Sequence, residues 1–316
     1  MLVALAAVAL FAWPAWTLLH PHFGFPFHRI GERVGMLALL LGFVALARHL
    51  GLGDRASLGY GLPRRTFVRE MSLALALGVL TMLAVVGIMA ALGLLEWRAD
   101  APSSAAALAK LVVTRALSGF AVAFIEETFL RGAMHTAIER ESGTRAAVLL
   151  TALLYAATHF FASFHIPPDQ VTRWSGVQLL AGTLHAFAHP LAIGDAFLAL
   201  FAVGVVLGLV LVAGTLQAFA SPLANADAFL ALFAVGVLLG VVRAGTGNIA
   251  ACVGLHAGWV WVMLVTHELA GPRADAPLAF LLSRFDGFVG WLVLAWTFVL
   301  ALPLWLFYRT RAGRAG

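Results

Sequence analysis

Charged residues and cysteine are scarce in this chain. Only 11% of the 316 residues are charged, whereas 62% are hydrophobic, and the mean hydropathy is +0.96. This composition argues against a soluble domain and indicates an integral membrane protein. The single cysteine, Cys252, excludes an internal disulfide, and its apolar neighbours indicate a small packing residue. A thiol protease built on Cys252 is a weaker alternative, because nothing nearby in the sequence would activate its thiol.

Apolar windows long enough to cross a bilayer recur along the chain. Spanning about 30 Å of hydrocarbon takes roughly 20 helical residues. The windows lack the ten-residue alternation of an outer-membrane barrel, and helices satisfy their own backbone groups in lipid. We therefore predict an all-α fold, a polytopic transmembrane bundle of about eight helices that forms one integral membrane domain over residues 1–316. The windows lie at about 2–19, 33–50, 71–95, 105–138, 146–163, 196–219, 227–242, 248–267 and 287–308.

The basic residues indicate how the chain is oriented in the membrane. The formal net charge is +5, but the arginines lie in the predicted loops, which argues against a nucleic-acid-binding surface. Because positively charged loops tend to stay on the cytoplasmic side, we expect a multi-pass protein of a bacterial inner membrane with two cytoplasmic arginine clusters. The clusters are Arg48, Arg55, Arg64, Arg65 and Arg69, and Arg309, Arg311 and Arg314.

A tandem repeat lies in the C-terminal half. Residues 179–210 recur as residues 211–242, with 25 of 32 positions identical. Two copies this similar indicate a recent local duplication rather than a solenoid, which needs three or more units. Two histidines of the first copy are replaced by Gln217 and Ser221 in the second, which argues against a repeated active site. We expect the second copy to be a passive insertion. One extra crossing would then place the two arginine clusters on opposite sides of the membrane, so either one copy is re-entrant or the positive-inside rule fails here.

An unusual group of charges lies in the apolar stretch AFIEETFLRGAMH, residues 123–135. A charged side chain at the centre of a bilayer costs about 2.5–3.5 kcal/mol, so such residues are expected to be paired or functional. Glu127 and Arg131 have the i,i+4 spacing of a helical ion pair, with the acid on the favourable N-terminal side. Glu126 points roughly 100° away around the same helix and has no local partner. A solvated helix end is the alternative interpretation, and the apolar flanks argue against it.

A histidine in the following window is placed to meet Glu126. The pair Ser142 and Gly143 predicts a turn, and Glu126 and His159 are equidistant from it. An antiparallel hairpin would bring both residues to about the same depth, each some 25 Å from the turn. A lone histidine in an apolar helix is more often a hydrogen-bonded core residue, but a histidine level with an unpaired buried glutamate is harder to explain in that way.

A second histidine, His256, lies halfway along the window 248–267. It is flanked by Gly254 and Gly258, which allow a partner helix or a substrate backbone to approach closely. A histidine bonded to the carbonyl of a neighbouring helix is the alternative. Together with Glu126 and His159, it makes a constellation of one acid and two imidazoles on three apolar helices.

These three motifs, in this order, resemble the CPBP family of intramembrane proteases. That family includes the prenyl-protein (CAAX) endopeptidases of the Rce1 type and bacterial proteins tied to bacteriocin processing or immunity. Residues 126–131, EETFLR, match the family's EExxxR motif, residues 155–159, YAATH, match its aromatic-xxx-His motif, and His256 opens its HxxxN-like motif. The protease core implied by the resemblance runs from about 105 to 267. Val260 stands where many members carry Asn, so the oxyanion contact of that Asn is lost or supplied elsewhere.

The resemblance implies a role for each of these residues in cleaving a membrane-associated protein or peptide. Glu126 would activate water, with His159 helping to bind or deprotonate it. His256 would polarise the scissile carbonyl or stabilise the oxyanion. Glu127 and Arg131 would complete the site by holding the helix and its charge balance.

A zinc site and two other functions compete with this interpretation. Glu126, His159 and His256 could hold a catalytic zinc with one open position for water, but no HExxH-type pair is present and metal-free glutamate chemistry is favoured. A transporter or proton-coupled channel could use the same buried residues, but the chain shows an adjacent duplication rather than two inverted halves. An inactive immunity or partner protein is the third possibility, and Val260 gives it some support.

Overall fold

The computed structural model describes residues 2–159, 166–178, 226–283 and 286–312. These residues are mostly helical, which confirms the predicted fold class. The first copy of the repeat, the start of the second copy and the predicted span at 196–219 lie outside the described residues. The helices are α1 (Leu2–Phe23), α2 (Phe27–His49), α3 (Arg64–Ala91), α4 (Ala105–Glu127), a π-helix (Thr128–Met134), α5 (His135–Thr158), α6 (Ala226–Thr246), α7 (Ala250–Leu269) and α8 (Trp291–Ala312).

The chain divides into two compact units. One unit comprises residues 1–51 and 157–224, and the other comprises residues 52–156 and 225–316. In the first unit α1 packs against α2, and a small core forms around Ala12, Phe27 and Ile166. The candidate site lies in the second unit. The prediction that the chain is one membrane domain stays a prediction.

Helices α3 and α7 run side by side in the same direction in the second unit. At their N-terminal ends Ile249 N–H donates to the carbonyl of Gly59 (3.0 Å). After their C-terminal ends the strands β1 (Leu95–Trp97) and β2 (Ala270–Pro272) pair antiparallel, with Glu96 opposite Gly271. These two connections fix α7 lengthwise against α3.

Glycine brings the backbones of α3 and α7 together. A Cβ added at Gly258 would lie only 2.8 Å from the carbonyl oxygen of Leu75 and 2.8 Å from the amide nitrogen of Val79. In the other direction, a Cβ added at Gly78 would lie 2.6 Å from the carbonyl oxygen of Leu255. No side chain larger than hydrogen fits at such distances. The prediction that Gly258 lets a neighbouring helix approach closely is therefore confirmed.

The predicted turn after the charged cluster is also found. Gly143 has φ +81° and ψ 168°, which breaks the helical run from Ala105 to Ala156 into two arms. Arg131 and Tyr155 are each twelve residues from Gly143, and the Arg131 guanidinium lies 4.6 Å from the centre of the Tyr155 ring. Residues equidistant from the turn therefore face each other, as expected for an antiparallel hairpin.

Four helical segments of the described residues are long and apolar enough to cross a membrane. They are Arg64–Ala91, Ala105–Ala156, Ala226–Thr246 and Ala250–Leu269. Outward-facing leucines such as Leu73, Leu80 and Leu117 are more than half exposed, as expected for side chains that contact lipid. The total of about eight spans stays a prediction.

Candidate active site

The ion pair predicted within the charged cluster is formed and fully buried. Arg131 Nη1 donates to Glu127 Oε1 at 3.0 Å, and both side chains have no exposed surface. Arg131 Nη2 also donates to the carbonyl of Gly236 in α6, at 3.3 Å. Gly236 belongs to the second copy of the repeat, so this copy contacts the site, and the expectation that it is a passive, dispensable insertion stays a prediction. Its helix provides an acceptor for the central arginine of the site.

Glu127 has a second partner that the sequence did not indicate. Its Oε1 accepts a hydrogen bond from His256 Nδ1 at 2.8 Å, and His256 is 2% exposed. Small residues make this contact possible, because a Cβ at Gly119 of α4 would lie 3.0 Å from the carbonyl of Ala257 in α7. The close crossing of α4 and α7 thus brings the acid of one helix to the imidazole of the other.

Glu126 lies on the opposite side of the same imidazole. Its Oε2 is 4.0 Å from His256 Nε2, too far for a direct hydrogen bond. This oxygen is buried and has no hydrogen-bond partner, although the side chain as a whole is 32% exposed. The two glutamates therefore hold the ring between them, with Nδ1 on Glu127 and Nε2 directed towards Glu126.

Tyr155 packs against both Arg131 and His256. Its ring lies below the Arg131 guanidinium and meets the His256 ring edge to face, with centroids 5.7 Å apart. A cation over an aromatic face is stabilised by the ring quadrupole, and a buried ring restricts the imidazole to one orientation. Tyr155 belongs to the aromatic-xxx-His motif, but its contact with Arg131 was not foreseen.

A π-helix follows the two glutamates directly. Thr128 begins it, and its hydroxyl donates to the carbonyl of Phe124 and accepts from the Tyr60 hydroxyl, both at 2.5 Å. Tyr60 precedes the first spanning helix of this unit, and burial raises the pKa of its phenol, which stays a donor. Single turns of π-helix are frequent at functional sites, where they turn side chains away from regular α-helical positions.

Arg243 supports the π-helix from α6. Its Nε donates to the carbonyl of Arg131 at 2.8 Å, and its Nη2 donates to the Thr136 hydroxyl at 3.3 Å. Thr136 in turn donates to the carbonyl of Ser57, in the loop before α3, at 2.8 Å. Three segments far apart in sequence thus meet on the backbone of the helix that carries the glutamates.

His159 was predicted to lie level with Glu126. It follows α5 as a half-buried turn residue and belongs to the unit formed by residues 1–51 and 157–224, whereas Glu126 and His256 belong to the other unit. The pairing of His159 with Glu126 therefore stays a prediction. The structure brings together four of the five predicted site residues, namely Glu126, Glu127, Arg131 and His256.

The two tryptophans beside Val260 do not supply the hydrogen-bond donor that the family's Asn would provide. The indole N–H of Trp259 donates to the Thr81 hydroxyl at 3.0 Å, and that of Trp261 donates to the carbonyl of Val112 at 2.9 Å. Both indole donors are therefore engaged outside the site. Cys252 is buried and its thiol donates to the carbonyl of Leu239 at 3.3 Å, as expected for a packing residue.

A zinc ion would need at least three ligands close together. Within the part of the chain that the structure describes, no group of three or more His, Cys, Asp or Glu side chains is arranged to hold a metal ion. Glu126 and His256 could provide two ligands, and whether His159 provides the third depends on the pairing that stays a prediction.

An acid and an imidazole fixed beside each other on membrane-spanning helices define a candidate site for proton-transfer catalysis inside a membrane. Residues 108–216 match the Rce1-like family model, described as type II CAAX prenyl endopeptidase Rce1-like. This confirms the resemblance on a stretch that contains Glu126, Glu127, Arg131 and His159, and it indicates a membrane protease. The matched stretch is about a third of the chain and ends before His256. No curated protein and no solved structure matches the chain.

Proposed function

We propose that this protein is an intramembrane endopeptidase of a bacterial inner membrane that hydrolyses a peptide bond of a membrane-associated protein or peptide. Glu126 is the general base, and His256 shares the hydrolytic water with it. The observation that carries this proposal is the 4.0 Å gap between Glu126 Oε2 and His256 Nε2. Both atoms can accept a hydrogen bond, and the glutamate oxygen has no other partner. A separation of this size is bridged by one water molecule at ordinary hydrogen-bond lengths of about 2.8 Å.

Glu127 determines which ring nitrogen of His256 faces the water. A carboxylate can only accept, so the Nδ1–H of His256 donates to Glu127 Oε1. In the neutral ring Nε2 is then the acceptor that faces Glu126. A water between these two acceptors directs both hydrogens at them and leaves an oxygen lone pair for attack. Glu127 and Arg131 are therefore positioning residues rather than catalytic ones.

Hydrolysis would proceed through a tetrahedral intermediate. The water oxygen bonds to the scissile carbonyl carbon while Glu126 takes one of its protons. As the C–N bond breaks, the protonated Glu126 returns that proton to the leaving nitrogen, which gives one carboxylic acid and one amine. His159 keeps its predicted role of helping to bind or deprotonate the water. Because His256 Nε2 accepts from the water in this proposal, the oxyanion role that the resemblance implied for His256 is not used, and the side chain of Val260 has no donor to replace it.

The proposal is tested with purified protein in detergent and membrane-peptide substrates, with and without a chelator. We expect Glu126→Gln to lower kcat by at least about 10²-fold, because the amide keeps the shape and loses the base. Glu268→Gln is the matched control, since Glu268 is 44% exposed and pairs with Arg115 away from His256. Full activity of Glu126→Gln would end the general-base hypothesis. Loss of wild-type activity with the chelator would instead support the zinc alternative.

A further inference from the structure

Polar atoms without partners are concentrated on the helix that carries the site. Among the described residues, eight buried side-chain nitrogen and oxygen atoms have no hydrogen-bond partner. Five of them lie between Glu126 and His135, and they belong to Glu126, Glu127, Arg131 and His135. Buried polar groups are normally satisfied by protein or by ordered water. A run of unsatisfied atoms along one helix is what a line of ordered water would satisfy.

His135 is the most informative of these residues. Its side chain is fully buried, and neither ring nitrogen has a hydrogen-bond partner. Its Nε2 is 4.0 Å from Glu139 Oε2, the same separation as between His256 and Glu126. The other oxygen of Glu139 accepts from the Thr144 hydroxyl at 2.7 Å, so Oε2 is left facing the histidine. One water would bridge His135 and Glu139 at ordinary hydrogen-bond lengths, as proposed for His256 and Glu126.

The sequence positions connect the site to the surface. Glu127, Arg131, His135 and Glu139 follow one another at intervals of four, and the π-helix lies within this series. The first three are fully buried, whereas the side chain of Glu139 is 37% exposed. The charged groups that act on His135 are Arg243, Glu139 and Arg131. The series thus runs from Glu127, which holds His256, through the buried imidazole of His135, to the carboxylate of Glu139 at the surface.

We propose that Arg131 Nε, His135 and Glu139 line a water-filled path, the polar track, that supplies hydrolytic water to Glu126 and His256. The proposal rests on the proposed function, because only a hydrolase consumes water at this site. Arg140 donates to the Ser57 hydroxyl at 2.8 Å, which places the outer end of the track beside the loop before α3. That loop carries Arg55 and leads to Arg64 and Arg65, so the track opens on the arginine-rich face predicted to be cytoplasmic.

Radiolytic hydroxyl-radical labelling read by mass spectrometry tests the hydration without any use of activity. Radicals form in the water itself, so side chains that touch held water are oxidised even when they are buried. Met89 and Cys252 are matched controls, because both are fully buried and both are intrinsically more reactive than histidine. We expect His135 to be oxidised faster than either. Labelling no faster than Met89 would overturn the hydrated track, whether or not the protein is a protease.

Substitution of His135 tests the supply of water. His135→Gln keeps one donor and one acceptor, so we expect kcat near that of the wild type. His135→Leu fills the space with an apolar group, and we expect kcat to fall by at least about tenfold with KM unchanged. Full kcat in His135→Leu would overturn the role in water supply. If the leucine variant does not fold, labelling of the wild type and of the inactive Glu126→Gln variant still decides whether the track holds water.

Discussion

Removal of Arg131 should destabilise this protein far more than removal of another arginine on the preceding helix. Arg131→Gln leaves Glu127 without its cation in a place with no exposed surface. It also removes the donor to the Gly236 carbonyl and the cation above Tyr155. Breaking a buried pair by removing one partner costs about 3–5 kcal/mol, because the remaining charge stays buried and uncompensated.

The matched control is Arg115→Gln. Arg115 pairs with Glu268, but these side chains are 35% and 44% exposed, so water screens the interaction. Such a pair contributes about 0–1 kcal/mol. At about 2–4 °C per kcal/mol for a domain of this size, Arg131→Gln should lower the apparent Tm by roughly 6–20 °C and Arg115→Gln by less than about 4 °C. Both are measured by fluorescence-detected thermal unfolding in the same detergent.

A double variant separates charge imbalance from lost packing. Glu127→Gln combined with Arg131→Gln leaves no net charge at the pair, so it should recover part of the Tm lost in Arg131→Gln. The reasoning is refuted if Arg131→Gln is no more destabilising than Arg115→Gln. It is also refuted if the double variant loses more Tm than the two single variants lose together. The buried pair would then owe its stability to something other than charge balance.

Three further predictions concern helix packing, the oxyanion and the repeat. Gly258→Ala should reduce folded yield, because its Cβ would lie 2.8 Å from the α3 backbone. Gly87→Ala is the control and should be neutral or slightly stabilising, because its Cβ would meet nothing within 4 Å. Equal yields of the two variants would contradict this packing. Val260→Asn puts a donor one turn after His256 and should raise kcat, by up to about 10²-fold, at unchanged Tm; no gain would mean that the oxyanion is stabilised elsewhere. Deletion of residues 211–242 should leave a chain that inserts and retains some peptidase activity, with its C-terminus cytoplasmic in a reporter fusion. Deletion of 179–210 is the matched control, since the two products differ at seven positions.

Local features of the site could be predicted from the sequence because they depend on spacing. The i,i+4 interval gave the Glu127–Arg131 pair, and the Ser142–Gly143 dipeptide gave the turn, where Gly143 supplies the positive φ. The angular separation of Glu126 from Glu127 also anticipated that only Glu127 would pair with Arg131. All of these depend on geometry within one helix or across one turn.

Which helices contact each other could not be predicted, because small residues far apart in sequence determine the pairing. His256 reaches Glu127 only because α4 and α7 approach closely at Gly119 and Ala257. The π-helix has no sequence signature of its own, and the support of its backbone by Arg243 depends on how α6 packs. His135 was within reach of sequence reasoning, since it continues the four-residue interval from Arg131.

Arg243 explains how the second copy of the repeat is held at the site. Residues 194–210 differ from residues 226–242 at only three positions, and Gly204 corresponds to Gly236, so the two stretches of sequence are nearly interchangeable up to this point. The residue that follows differs, because Arg243 comes after the second copy and Leu211 after the first. A leucine cannot donate to the Arg131 carbonyl, whereas Arg243 does so at 2.8 Å. The shortened chain that lacks 211–242 joins the first copy directly to Arg243 and regains that donor, which is why its site should survive the deletion.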